Sequence, residues 1–190
     1  YAVPKKCKNI VLLIASLAFY FYGEPKYTLL MIFSIICTYF FGLLIDKYKK
    51  HSKIFLILSI SISIGILVYF KYTNFIIQNI NLWITNKIDF IYVALPIGIS
   101  FYTFQMISYI VDVYRRQAKV QKNVLKLAMY ISLFPQLIAG PIVRYTTIEE
   151  QIENRTHTFE KFALGVRRFI IGLGKKVLIA NVLGELTATF

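Results

Sequence analysis

The sequence predicts an all-α membrane protein, a polytopic transmembrane helix bundle with broken or re-entrant helices and an interfacial amphipathic helix. Composition is the first observation behind that reading. Of 190 residues, 57% are hydrophobic and 16% charged, too apolar for one ordinary soluble domain. The second is the alternation of long apolar runs with short charged links. The third is the placement of proline and glycine inside two of those runs, a pattern tolerated at membrane depth only where the backbone is buried in protein or lines a cavity. The Ile-rich runs do not argue for strands, because an isolated strand in lipid leaves its backbone unpaired.

In chain order, the first apolar run, Ile10 to Tyr22, is short for a crossing that needs about 20 residues; it reaches that length only if Lys6 and Lys8 snorkel. Gly23-Glu24-Pro25-Lys26 reads as a tight turn. The second run, Tyr27 to Ile45, is long enough without help, and a third, Ile54 to Phe70, follows a basic link from Asp46 to Lys53. Residues 71–89 carry Lys71, Asn74, Asn79, Asn81, Trp83, Lys87 and Asp89, and are expected to form an interfacial or re-entrant segment. Phe90 to Val113 is long enough to cross, with a kink or break expected at Pro96 and Gly98. Val124 to Val143 is apolar but interrupted by Pro135, Gly140 and Pro141. Thr147 and Glu150 have the spacing of a capping box. Beyond Thr158, Phe159, Phe162, Ala163, Val166, Phe169, Ile170 and Leu173 recur at helical spacing, with Lys161, Arg167 and Arg168 elsewhere. That pattern predicts an amphipathic helix at the interface or against the bundle. The last apolar run stops at Phe190, and the chain starts at Tyr1, so the expectation is a piece of a longer protein.

The excess of 22 Lys and Arg over 9 Asp and Glu, a formal charge of +13, would suggest nucleic acid in a soluble domain. Here the cations sit in links between apolar runs, as orientation signals do, and no nucleic-acid partner is expected. The links with Lys5, Lys6 and Lys8, with Lys47, Lys49, Lys50 and Lys53, and with Arg115, Arg116, Lys119, Lys122 and Lys126 are far more basic than the intervening ones. The positive-inside rule makes them cytoplasmic if residues 71–89 do not cross. Cys7 and Cys37 belong to no metal-ligand spacing and are not expected to pair.

Two segments stand out chemically. In Leu95-Pro96-Ile97-Gly98-Ile99-Ser100-Phe101-Tyr102-Thr103-Phe104-Gln105 and onward, Ser100, Gln105, Ser108 and Asp112 recur at roughly helical spacing. One helix face is therefore polar inside or near the membrane. Such a stripe either glues helices together or lines a path. The second segment is Phe134-Pro135-Gln136-Leu137-Ile138-Ala139-Gly140-Pro141-Ile142-Val143-Arg144-Tyr145, non-regular backbone that ends on a fixed cation. That guanidinium either snorkels at the interface or binds a phosphate, a carboxylate or a thioester donor's diphosphate. His51 and His157, the two candidates for a general base, both read as solvated surface. Asn154-Arg155-Thr156 matches a glycosylation sequon, a short pattern that arises often by chance.

These two segments resemble signatures of the membrane-bound O-acyltransferase family, in the bacterial branch whose members acetylate exported polysaccharides such as alginate. Ala15 to Tyr20 with Gly23-Glu24-Pro25, and Gly165 to Asn181, add to the resemblance. It implies a membrane enzyme that moves an acyl group, usually acetyl, from a cytoplasmic donor such as acetyl-CoA or a carrier-bound acyl group to a hydroxyl of an exported glycan. It implies no bound cofactor and no metal. The expected surroundings are the lipid bilayer of the bacterial cytoplasmic (inner) membrane, with a glycan acceptor or a periplasmic or extracellular acyltransferase as partner. The family's histidine has no counterpart here and is expected C-terminal to residue 190, so that residues 1–190 form one transmembrane domain, the N-terminal part of the enzyme. Pro96, Gly98, Ser100, Gln105, Gln136, Gly140, Pro141 and Arg144 are then expected to shape the acyl-transfer tunnel. D-alanyl transfer to teichoic acid, a transporter built on broken helices, and a non-catalytic scaffold are the competing readings.

Overall fold

The computed structural model describes Pro4 and residues 7–84, 87–91, 93–137, 140 and 142–188, without the side chains at 186 and 188. All regular structure among them is helical. Contacts divide the chain into two compact units, Ala2–Glu153 and Asn154–Phe190.

The first unit begins with α1 (Lys8–Gly23) and α2 (Pro25–Lys47). Glu24 alone separates them, with Pro25 opening α2, where its missing N–H and fixed φ suit a helix start. A 3₁₀ turn, Lys49–His51, leads into α3 (Ser52–Ile80). Among the described residues, two helices are long and apolar enough to cross a membrane, α2 and the stretch containing α3. At 1.5 Å per residue α2 and α3 themselves measure about 35 and 44 Å, against a hydrocarbon core of about 30 Å.

One face of α2 carries small residues. Ser34, Thr38 and Gly42 are buried at four-residue intervals, the pattern that lets helices approach closely. The hydroxyls of Thr28, Ser34 and Thr38 donate to carbonyls four residues back at 2.8–2.9 Å, so they need nothing from a neighbour. A Cβ on Gly42 would sit 3.5 Å from the Tyr109 ring, so the tyrosine packs directly on the helix backbone. α3 turns most of its surface outward, with Ile57, Ile64, Tyr69 and Phe75 exposed. Apolar exposure on this scale marks a face that meets lipid or protein.

The re-entrant segment expected over residues 71–89 is corrected in part, because α3 continues unbroken to Ile80. From Ile66 to Leu95 there is neither proline nor glycine. Lys71, Asn74, Gln78 and Asn81 fall three or four residues apart on one face, so polar residues interrupt composition without interrupting the helix. Beyond the helix, the described residues from Lys87 to Pro96 are non-helical, and side chains bind every third carbonyl. Asn81 donates to Ile88 O (2.8 Å) and Asn74 to Ile91 O (2.9 Å). Tyr27 donates to Ala94 O and Tyr20 to Ile97 O, each at 3.0 Å. Both asparagine oxygens also accept the N–H of the same residue they bind. The register works because seven helical residues advance about 10.5 Å and three extended residues about 10 Å.

The break expected within Phe90 to Val113 falls at Gly98, and among the described residues of that run only α4 (Ile99–Tyr114) is helical. At 16 residues, or about 24 Å, α4 is shorter than the span the sequence suggests. Gly98 has φ +75°, and a Cβ there would lie 2.7 Å from the Leu137 carbonyl oxygen. Glycine is therefore required both by conformation and by space. α4 is the most enclosed element, with Ile99, Tyr102, Met106, Tyr109, Ile110 and Val113 all buried. It ends in a loop where Arg116 takes a left-handed φ of 59° and Gln117 N–H returns to Asp112 O at 2.9 Å, closing the helix as a glycine normally would.

Asn123 caps α5 (Val124–Ser132) by accepting from Leu125 N and Lys126 N, a strong helix start. The chain bends at Leu133 into the single turn α6 (Phe134–Leu137), and α7 (Tyr145–Glu153) follows. The Thr147–Glu150 capping box does not form. Thr147 lies inside α7, its N–H bound to Arg144 O at 3.1 Å, because the helix starts two residues earlier.

The second unit is a helix, α8 (Phe159–Gly174), followed by a π-helical stretch (Lys175–Ala180) and α9 (Asn181–Ala188). Thr158 caps it, accepting from Lys161 N at 3.2 Å. The predicted amphipathic pattern lies on α8, whose apolar side chains Phe159, Phe162, Phe169 and Ile170 are exposed. Gly172 and Gly174 do not interrupt the helical path.

Candidate functional site

Tyr130, on α5, joins the two segments that the sequence singles out. Its carbonyl is left without a helical partner where the chain bends at Leu133. Two glutamine amides fill the vacancy, Gln105 Nε2 from α4 at 3.0 Å and Gln136 Nε2 from α6 at 2.7 Å. Its hydroxyl donates to Val143 O at 2.8 Å, fixing the residue before Arg144. Both glutamines therefore hold backbone at a break in helix geometry, and the buried polar stripe of α4 acts here through packing between helices.

Arg144 and Asp112 form the strongest electrostatic feature. Asp112 is buried with 1% of its side chain exposed, whereas Arg144 is 53% exposed. Arg144 Nη2 donates to Asp112 Oδ1 and to Gln117 Oε1, the latter at 3.2 Å. A carboxylate so enclosed requires a countercharge. Among the described residues its Oδ2 has no hydrogen-bond partner. Both acceptors share one nitrogen, so among the described residues Nη1 and Nε of Arg144 face no other acceptor, and the guanidinium is held in place by Asp112 and Gln117. Asp112 belongs to the stripe visible in the sequence, but spacing alone gives no sign that its partner lies 32 residues on.

Beside this pair three tyrosines interlock. Tyr145 meets Tyr109 and Tyr130 edge to face, with centroids 5.0 and 5.2 Å apart, the arrangement favoured by ring quadrupoles. Gln121 ties them to the loop after α4. Its backbone N–H donates to Tyr109 Oη, and its side-chain amide donates to Tyr145 Oη, both at 2.9 Å. The same amide reaches Glu153 Oε1 at 3.3 Å. Lys126 also binds Glu153, and this contact holds the Glu153 carboxyl below its usual pKa.

Of the remaining predicted positions, Pro96 is buried in the turn before α4, and Ser100 is half-buried in its first turn. Gly140 approaches α6 so closely that a Cβ would fall 2.5 Å from Gln136 Cα. Pro141 lies outside the described residues. Both histidines are exposed, as expected. Cys7 and Cys37 are free thiols.

Helices of membrane-spanning length beside broken, polar helix segments define a membrane protein with an irregular interior. Residues 14–190 match the model of the membrane-bound O-acyltransferase family, and the chain belongs to that family. It is 39% identical over 190 residues to the "Probable alginate O-acetylase AlgI" of Pseudomonas syringae pv. tomato, covering 96% of this chain and 37% of that protein. It is likewise 39% identical over 193 residues to the protein of the same name from Pseudomonas aeruginosa, covering 98% and 37%. It is 34% identical over 210 residues to the "Peptidoglycan O-acetyltransferase" of Helicobacter pylori, covering 95% and 40%. The chain thus spans about two fifths of the length of these relatives. No solved structure matches it.

Proposed function

We propose that the protein is a membrane O-acyltransferase that transfers an acyl group, most simply acetyl, from a cytoplasmic donor to hydroxyls of an exported cell-surface polysaccharide. The observation that carries this reading is the similarity of nearly the whole chain to proteins named for O-acetylation of two different glycans, alginate and peptidoglycan. Residues 1–190 are, on this reading, the N-terminal part of a transmembrane domain of a longer, multi-pass inner-membrane enzyme. The basic links face the cytoplasm, the segment before α4 is re-entrant, and α8 lies at the interface.

The reaction is attack of a glycan hydroxyl oxygen on the acyl carbonyl carbon. The bond to the donor's sulfur breaks, the thiolate leaves, and the hydroxyl proton passes to a general base. We place that base, a histidine, C-terminal to residue 190. Within this chain Arg144 supplies an oriented cation for an anionic part of the donor. Ser100 lines the path, Gln105 and Gln136 shape its wall by fixing Tyr130, and Pro96, Gly98, Gly140 and Pro141 give the backbone its turns.

The test is Arg144→Lys in the full-length protein, which keeps a countercharge for the buried Asp112 but removes the guanidinium's remaining donors. Transfer falls about tenfold or more, the scale of one charge-assisted contact, while folded protein is retained. Loss of folded protein with unchanged specific activity would make Arg144 only a structural partner of Asp112.

A further inference from the structure

A half-open cavity of about 570 Å³ lies between the C-terminal end of α2, the N-terminal end of α3 and the loop after α4. Charged side chains of both signs surround it: Arg116, Lys119 and Lys122 from the loop, Asp46 after the apolar run of α2, and Glu149 from α7. None of the five is in an ion pair among the described residues. Ser52, at the start of α3, also lines it, and no side chain caps that helix start, so its positive end adds to the cationic side.

The loop that supplies the cations is held at several points. Gln117 N–H binds Asp112 O, Gln121 N–H binds Tyr109 Oη, and Tyr39 donates to Lys122 O at 2.8 Å. Arg116 keeps its left-handed backbone within this frame, and strained non-glycine conformations persist where surrounding structure enforces them. The result is a preformed cavity whose cations stand on a loop backbone that is held in place. Its position at the ends of two helices of membrane-spanning length is where charged head groups meet protein.

We propose that this cavity binds a phosphate ester, with Arg116, Lys119 and Lys122 on the phosphate and Asp46 or Glu149 accepting hydrogen bonds from the rest of the head. The ligand is either a phospholipid head group or a soluble phosphate ester. The claim concerns binding and stands apart from acyl transfer.

The full-length protein is purified in detergent and titrated with inorganic pyrophosphate, the soluble probe. It is also placed in nanodiscs of phosphatidylcholine with and without phosphatidylglycerol, and retained lipid is counted by native mass spectrometry. Pyrophosphate binding without selective retention of phosphatidylglycerol identifies a soluble phosphate compound, and selective retention of phosphatidylglycerol identifies a head group. At about fivefold per cation near a membrane surface, the triple variant Arg116→Asn, Lys119→Gln, Lys122→Gln weakens binding about a hundredfold. Asparagine at 116 tolerates the positive φ. Lys119→Glu alone, an exposed reversal that leaves packing intact, weakens it about 25-fold. Lys49→Gln, Lys50→Gln, Lys53→Gln removes the same charge from residues that do not line the cavity and leaves binding within about twofold. Equal loss in that control, undiminished binding in the first two variants, or no binding of either probe to the wild type overturns the proposal.

Discussion

α2 and α3 meet the demands of their surroundings helix by helix, whereas the region from residue 87 to Glu153 meets them between distant parts of the chain. The buried hydroxyls of α2 bond within their own helix, and α3 exposes a continuous apolar surface. Carbonyls of the other region that no helix satisfies are bound instead by side chains from elsewhere, Asn74, Asn81, Tyr20 and Tyr27, or from within it, Gln105 and Gln136. Apolar periodicity builds the first region. Long-range polar bonds that permit broken backbone build the second, and such backbone is tolerated at membrane depth only where it is buried in protein or lines a cavity.

The sharpest way to break the second region is Arg144→Ala, which leaves the buried Asp112 carboxylate without its countercharge. Removing one partner of a buried pair in this way costs about 3–5 kcal/mol. Thermal unfolding of the full-length protein in detergent measures it, and adding Asp112→Ala recovers part of the stability. An unchanged midpoint in the single variant would show that the pair holds nothing together. Next is Gly98→Ala, which combines an unfavourable φ with a clash against Leu137 O. The expected loss is about 2–3 kcal/mol. An outward-facing change in the first region, Ile57→Ala, shifts the same midpoint by an amount corresponding to about 0.5 kcal/mol or less.

Asn74→Ala or Asn81→Ala removes two bonds to the segment before α4, a loss of about 1–3 kcal/mol. Hydrogen exchange at Ile88 and Ile91 rises accordingly. Asn79→Ala, whose amide returns to Phe75 O in its own helix, leaves that exchange unchanged. Equal effects at 79 and 81 would erase the distinction between the regions.

A small effect of a different kind is the Lys126–Glu153 contact. The folded-state pKa of Glu153 lies below its unfolded value. Its stabilisation is therefore present above the usual carboxylate pKa and fades as pH falls through the folded value. For a surface pair this is about 0.2–1 kcal/mol. Comparing the acid limb of the stability curve for wild type and Glu153→Gln isolates it.

The first region was legible from residues 10–70 because run length and apolar content decide whether a helix forms in lipid. The breaks were legible at Pro96, Gly98 and Pro135, since those residues act on their own backbone. The extension of α3 to Ile80 was not, because Lys71, Asn74 and Asn79 resemble an interface until their spacing is weighed against the lack of any breaker. Ser100, Gln105 and Asp112 were visible as a stripe, but their partners were not. Tyr130 O becomes an acceptor only because the chain bends at Leu133, and Arg144 meets Asp112 only through the fold. Tyr130 itself left no sequence signal, since a tyrosine in an apolar run looks like core.

Acyl transfer itself is tested most directly by ester-linked acetate on cell-envelope polysaccharide, released with alkali from cells carrying the intact gene, a disrupted gene, and the gene restored. The expected result is acetate that is lost on disruption and returns on restoration. Unchanged glycan acetate in the disrupted strain would contradict it.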